Sequence, residues 1–257
     1  MTIVRLVRML ITMCAAWVHG CIVRPRTLAE RGAWRGMWAG YILRSLGIRM
    51  VIEGRPPASG LVVANHMSYV DVLTLGSVLP AIFVSKSEVR GWPLVGPLIT
   101  RGGTIFLERG RARAAAEANR VVAKTLAERV PVVIFPEGTT TAGDRVLPFH
   151  GALFESAIRQ GAEVWPASVS YSFLDGENAA RTVAYFGDDT LMPHLFRLAG
   201  RNDVVAHVRF AAAPIAATDR ARAAIAAREE VVALLSYDGL DSSCLDSAIT
   251  HQQTATA

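Results

Sequence analysis

At 257 residues the chain is long enough for one domain with a sizeable core. Hydrophobic residues make up 51%, mean hydropathy is +0.30 and the formal net charge is +5, a balance that suits lipid and an anionic partner. The basic residues form no single block, and zinc-finger spacing and RNP-type aromatic runs are missing, which speaks against nucleic acid and for a membrane surface.

Met9 to Val23 is apolar apart from Thr12 and His19, with Arg5 and Arg8 before it and Arg24 and Arg26 after it. As a helix it would measure about 22 Å, short of a hydrocarbon core of about 30 Å. Leu28 to Leu46 spaces Trp34, Met37, Trp38, Tyr41 and Leu46 helically, with Arg31, Arg35 and Arg44 between them. That pattern fits an interfacial helix with arginines toward phosphates, or a helix whose aromatics enter the core. The basic start also reads as an export leader, and Val18-His19-Gly20-Cys21 resembles a lipoprotein processing site, but histidine fits poorly there. Cys14, Cys21 and Cys244 lack metal-ligand spacing and suit a reducing compartment.

Strands are expected at 49–53, 60–64, 81–85, 103–107, 132–135, 164–171, 183–186 and 204–210. Helices are expected at 70–79, 111–129, 150–160 and 217–236, with a loop and short helix from Gly91. The alternation predicts an α/β class: a central, mostly parallel or mixed sheet covered by helices, plus the amphipathic two-helix N-terminal element. The expected division is 1–47 as membrane-associated helices, 48–237 as the main domain and 238–257 as a polar, disordered tail. No GxGxxG or P-loop supports a nucleotide cofactor, and no metal site is expected.

The chemistry concentrates in three stretches. Leu61 to Asp71 (LVVANHMSYVD) ends a buried strand on Asn65-His66 and places a carboxylate five residues after the histidine. A histidine at a sheet rim can take a proton near neutral pH, and a carboxylate can fix its tautomer. Five residues along one helix separate side chains by roughly 140°. The pair can therefore meet only if His66 lies in the turn before the helix and Asp71 in its first turn. The same spacing also fits a capping box from Ser68 to Asp71, with His66 a satisfied rim residue. The second stretch, Phe135 to Thr141 (FPEGTTT), follows a buried strand and offers amides and hydroxyls to an anion or polar headgroup; it is also an ordinary turn. The third, Gly103 to Arg109 (GTIFLER), delivers Arg109, a phosphate clamp or a solvated surface charge. GxSxG is absent and no serine or cysteine nucleophile stands out, so a histidine base would need a substrate that brings its own hydroxyl, or water.

Taken in order, these stretches resemble the lysophospholipid acyltransferase family, whose best-known bacterial members are 1-acyl-glycerol-3-phosphate acyltransferases. Asn65 to Asp71 matches NHxSxxD at every fixed position, Phe135 to Thr139 matches FPEGT, and Gly103 to Arg109 is similar to GxxFxxR. Val164-Trp165-Pro166-Ala167 is a looser match to a fourth block, and Ser85 to Glu88 with Trp92 to Gly96 resembles the connecting segment. The resemblance implies that His66 is the general base on a lysolipid hydroxyl and that Asp71 orients it. Arg109 and Lys86 would reach a phosphate, while Glu137, Gly138, Thr139 and Thr140 would shape the headgroup site. The donor would be acyl-ACP or acyl-CoA as co-substrate, with no bound cofactor. The partners would be the lipid bilayer and a lysophospholipid acceptor, at the cytoplasmic face of a bacterial inner membrane. The acceptor implied is a lysophospholipid such as 1-acylglycerol-3-phosphate, but phosphatidate-forming members commonly read EGTRS and Thr140 replaces the arginine here, which weakens the case for a phosphomonoester and makes a phosphodiester or aminolipid acceptor the alternative unless Lys86 and Arg109 compensate. A thioester hydrolase and a non-catalytic lipid-binding homologue are the competing classes. Leu94, Val95 and Leu98 either line an acyl groove or belong to the core.

Overall fold

A computed structural model of the protein describes residues 1–108, 112–216 and 219–236. Strands β1 (Arg49–Glu53), β2 (Leu61–Ala64), β3 (Ile82–Lys86), β4 (Ile105–Leu107), β5 (Val132–Ile134), β6 (Val164–Phe173) and β7 (Val204–Phe210) form one sheet. Its order is β1-β7-β6-β2-β5-β3-β4. All neighbours run parallel except β6 and β7, so the sheet is mixed, as the alternation of elements predicts. The central strands β2 (LVVA) and β5 (VVI) are buried along their whole length. Unbroken apolar runs of this kind form strands covered on both faces.

Helices α1 (Thr2–Val23), α2 (Leu28–Leu46), α3 (Tyr69–Val78), α4 (Val95–Arg101), α5 (Ala112–Ala127), α6 (Glu155–Gln160), α7 (Ala180–Val183), α8 (Leu191–Gly200) and α9 (Arg220–Ser236) surround the sheet. One core layer joins Val62, Ala64 and Val133 to Leu43 and Leu46 of α2, Leu75 of α3 and Leu198 of α8. The other joins Leu61, Val63 and Ile134 to Val122 of α5 and Val231 of α9. Successive residues of β2 thus feed opposite layers. Each fully buried leucine contributes about 2 kcal/mol.

The N-terminal hairpin departs from expectation in three ways. First, α1 starts at Thr2 rather than near Met9. Arg5 is drawn into the helix because its Nη1 donates to the carbonyls of Ala199 (3.0 Å) and Arg201 (2.5 Å). At 22 residues α1 is long and apolar enough to cross a bilayer, yet it lies against α2, α4 and α8. His19 accepts the indole N–H groups of Trp34 and Trp38, each at 3.2 Å, which accounts for a histidine in an apolar run. The outward stripe of α1, including Ile3, Val7, Ile11, Val18 and Ile22, stays exposed.

Second, the aromatics of α2 divide: Trp34 is buried while Met37 and Tyr41 face out. Third, Arg35 does not point outward. Its guanidinium is buried over the Phe83 ring (4.3 Å) and donates to the Ala81 carbonyl. Burial pushes its pKa down to about 9.

Thr27 and Glu30 form a capping box at the start of α2, and Gly47 ends it in the left-handed conformation. Gly32 and Gly36 let α2 approach α3 closely. A Cβ at Gly32 would lie 2.4 Å from the Pro80 carbonyl oxygen, and one at Gly36 2.7 Å from that of Gly76.

Residues 183–186, expected as a strand, instead close α7 and enter a loop. Asn178 turns the chain there, its Oδ1 accepting from the Ala180 amide (2.7 Å). Helix α8 was not expected. Pro193 sits in its first turn, where no amide donor is needed. The tail expected from 238 lies outside the described residues.

Candidate active site

Parallel β2 and β5 end side by side, with Val63 opposite Ile134, so the segments 65–71 and 135–141 emerge together at one rim. Asn65 fastens this rim to β6: its Nδ2 donates to the Val169 carbonyl and its Oδ1 accepts from the Val169 amide, both at 2.9 Å. His66 stands in the turn before α3 and Asp71 in the first turn of α3, the one arrangement in which the spacing lets them meet. His66 Nδ1 lies 2.8 Å from Asp71 Oδ2.

Asp71 performs both roles that the spacing allows. Oδ2 also accepts from the amides of Met67 (2.7 Å) and Ser68 (2.8 Å), capping α3. Oδ1 accepts from the Tyr171 hydroxyl (2.8 Å) on β6. The carboxylate is fully buried and acts as acceptor at every contact. The proton of the pair therefore belongs to His66 Nδ1, the tautomer that points its Nε2 lone pair outward when the imidazole is neutral. The His66 side chain remains 18% exposed and stacks on the Phe135 ring, with centroids 4.0 Å apart.

Glu137 grips the same turn from behind. Oε1 accepts from the His66 amide (2.7 Å) and Oε2 from the Leu147 amide (2.8 Å). The carboxylate is buried, and burial pushes its pKa up to about 7, against the lowering effect of those two amides. The Thr141 amide donates to the His66 carbonyl (3.1 Å), so the histidine backbone is held on both sides. Gly138 turns the chain at φ 70°, leaving Thr139 exposed and Thr140 half-buried at the rim. Lys86 ends β3, which pairs with β5 and β4 and so faces the same rim. Arg109 lies outside the described residues.

A cavity of about 470 Å³ opens on the α5 side of this rim. Val84, Leu107, Val122, Ile134 and Leu153 line it, and Glu137 to Thr139 form its edge. Its size is in the range of small-ligand sites. Leu94, half exposed, is not among its lining residues.

The acyltransferase family model matches residues 47–170, which contain the segments 65–71 and 135–141. A 1-acyl-sn-glycerol-3-phosphate acyltransferase of Neisseria meningitidis is 34% identical over 206 residues, covering 79% of this chain and 77% of that protein. The chain belongs to the acyltransferase family. A lyso-ornithine lipid O-acyltransferase of Pseudomonas aeruginosa is 39% identical over 166 residues, 63% of this chain and 62% of that protein, just under two thirds of its length. The crystal structure of a 1-acyl-sn-glycerophosphate acyltransferase from Thermotoga maritima covers 90% of this chain and 97% of its own, at 21% identity and a TM-score of 0.50. That likeness concerns the fold.

Sequence reasoning missed Tyr171. The alternation of β6 marks it only as inward-facing. Burial and the adjacent Asp71 charge push its phenol well above the usual range, so it stays a donor. Also missed was His194, whose Nε2 is bound to the Val183 carbonyl (3.0 Å) and whose Nδ1 faces the Tyr69 hydroxyl (2.9 Å). It braces α8 against the start of α3.

Proposed function

We propose that the protein transfers a fatty acyl group from an acyl thioester, carried by acyl carrier protein or coenzyme A, to the free hydroxyl of a lysolipid. The observation that carries this reading is the His66–Asp71 pair, with Nδ1 held by the carboxylate and Nε2 left to take a proton. His66 Nε2 removes the hydroxyl proton as the oxygen attacks the thioester carbonyl. The tetrahedral intermediate collapses with cleavage of the C–S bond. The leaving thiolate takes the proton back from the imidazolium, and the ester is complete. Asp71 keeps the tautomer and stabilises the imidazolium. Glu137 acts by fixing the His66 backbone, because both its oxygens are engaged by amides.

The acceptor in this proposal is an aminolipid rather than a phosphomonoester. Thr140 supplies a hydroxyl where phosphatidate-forming relatives commonly place an arginine, and a dianionic phosphate demands more positive charge than a zwitterionic headgroup. Relatives named as lyso-ornithine lipid O-acyltransferases, from Pseudomonas aeruginosa and from Brucella abortus at 35% identity, support that choice. Arg109 and Lys86 belong to the acceptor side of the proposal, and the 470 Å³ cavity to an acyl chain. Residues 1–47 seat the protein on the cytoplasmic leaflet. The fastening of α1 along the body through Arg5 and His19 supports a helix lying in the interface rather than spanning it.

Acyl transfer by the purified chain in mixed micelles tests the reading. A labelled long-chain thioester is offered with lyso-ornithine lipid, lysophosphatidic acid or a phosphodiester lysolipid. The expected result is a preference of at least tenfold for the lyso-ornithine lipid. A strong preference for lysophosphatidic acid would sink the aminolipid assignment. Release of free fatty acid at one rate with and without acceptor would replace transfer by hydrolysis.

A further inference from the structure

A strongly basic feature lies away from the His66–Asp71 rim. A cavity of about 670 Å³ opens between the α1–α2 turn and the segment that includes α4. Five arginines line it: Arg24, Arg26, Arg31, Arg90 and Arg101. Among the described residues, no aspartate or glutamate lines it. The arginines' described side-chain hydrogen bonds all go to neutral groups, and only Arg26 has a carboxylate, Glu30, near enough for its charge to lower that group's pKa. Arg24 Nε donates to the Cys21 carbonyl (3.1 Å), Arg31 Nε to the Pro25 carbonyl (3.3 Å) and Arg101 Nη1 to the Gly20 carbonyl (2.5 Å). Arg90 lies over the Phe106 ring at 5.6 Å. The nearby Glu30 carboxylate is occupied by the amides of Arg26 and Thr27.

Five guanidinium groups around one hollow repel one another unless an anion joins them. Phosphate oxygens suit them, because each guanidinium presents a planar fork of donors. The source of the phosphate is indicated by the neighbouring surface. The exposed apolar stripe of α1 runs through Val18, Ile22 and Val23 and stops at Arg24, the first arginine of the cavity. Hydrocarbon-facing side chains that run directly into a basic hollow match the passage from acyl tails to headgroups in a leaflet. The hollow shares no residue with His66, Asp71 or the 135–141 turn.

We propose that this cavity binds the phosphate of an anionic phospholipid of the membrane, distinct from the acceptor, and so sets the orientation of the enzyme on the leaflet. The proposal rests on the membrane-seating reading of residues 1–47. Sedimentation of the full chain with vesicles tests both and separates them. One set of vesicles is neutral phosphatidylcholine; the other contains about one third phosphatidylglycerol. Arg24, Arg26 and Arg90 are exposed, so an Arg24→Gln/Arg26→Gln/Arg90→Gln variant should fold. An Arg→Lys version at the same positions keeps the charge. Arg120→Gln/Arg159→Gln/Arg222→Gln serves as a control at exposed arginines paired with carboxylates elsewhere.

The expected result is that wild type binds both vesicles, the anionic ones about 100-fold more tightly, the order for three basic side chains at an anionic leaflet. The glutamine variant should lose that gain and keep neutral binding, while the lysine version and the control retain most of it. An equal loss in the control would reduce the effect to diffuse charge and overturn the site. Binding of free coenzyme A that disappears in the glutamine variant, or a raised KM for the lysolipid in neutral micelles, would reassign the cavity to a substrate and overturn it too. No binding to either vesicle would remove the membrane-seating reading and the proposal with it.

Discussion

The His66–Asp71 rim and the N-terminal hairpin use polar groups in opposite ways. At the rim every buried charge is met from within the fold: Asp71 by His66, two amides and Tyr171, and Glu137 by two amides. Between the hairpin and the segment that includes α4, five arginines share a cavity that no carboxylate lines among the described residues, beside an exposed apolar stripe. A site that must hold one histidine in one tautomer needs internal satisfaction. A surface of the kind proposed here, meant to meet a membrane, leaves its groups for an outside partner.

That contrast can be broken most severely at Asp71. An Asp71→Ala variant leaves the Met67 and Ser68 amides and the Tyr171 hydroxyl without their acceptor and removes the cap of α3. We expect a loss of about 4 kcal/mol, read as the urea midpoint, and transfer reduced at least about 100-fold. An equal substitution at Arg24, in the hairpin, should leave the midpoint within about 0.5 kcal/mol.

Glu137 sharpens the contrast through pH. Its folded pKa, about 7, lies above the ordinary 4.5, so the folded protein holds the proton more tightly than the unfolded chain. Its contribution to stability is then fully present below about pH 4.5 and is lost as pH rises through 7. Between pH 5 and 8 wild type should lose about 2.5 kcal/mol more than Glu137→Gln, measured by urea unfolding at each pH. Parallel pH curves would show that the carboxyl is not strained by burial.

The two regions meet where α2 touches α3, the helix that carries Asp71. Gly36→Val places side-chain atoms against the Gly76 carbonyl and should cost about 2 kcal/mol in the urea midpoint. Activity should fall with it, since α3 must shift. A smaller effect is expected at Tyr171. Tyr171→Phe removes one donor from Asp71, about 1.5 kcal/mol, and makes the carboxylate a better partner for the imidazolium. The acidic limb of the pH–rate profile should move up, because the base works unprotonated, and the thermal midpoint should fall by only a few degrees. A stability loss without a pH shift would make Tyr171 a packing residue only.

The legible parts of the fold were those whose signals are local. The bounds of α2 follow from Thr27 and Gly47, and β2 and β5 from unbroken apolar runs. The His66–Asp71 geometry followed from helix periodicity, and the double use of Asp71 was present as two competing readings of one spacing. What escaped depends on distant residues. Tyr171 lies 100 positions from Asp71. The arginine cavity joins the α1–α2 turn to a segment some 60 to 80 positions later. Arg35 fits the outward pattern of an amphipathic helix but is buried because glycines bring α3 and Phe83 close to that face. The 183–186 run is apolar enough for a strand, but Asn178 and the docking of α8 fold it into a turn.

The central claim is that His66, held by Asp71, removes the proton from a lysolipid hydroxyl. Its most direct test is acyl transfer by wild type and His66→Ala side by side in mixed micelles, with a shared urea midpoint showing that both are folded. The account predicts transfer by wild type and a loss of about 1,000-fold or more in the variant. Transfer by His66→Ala within about tenfold of wild type would contradict it and leave the pair as the cap of a helix.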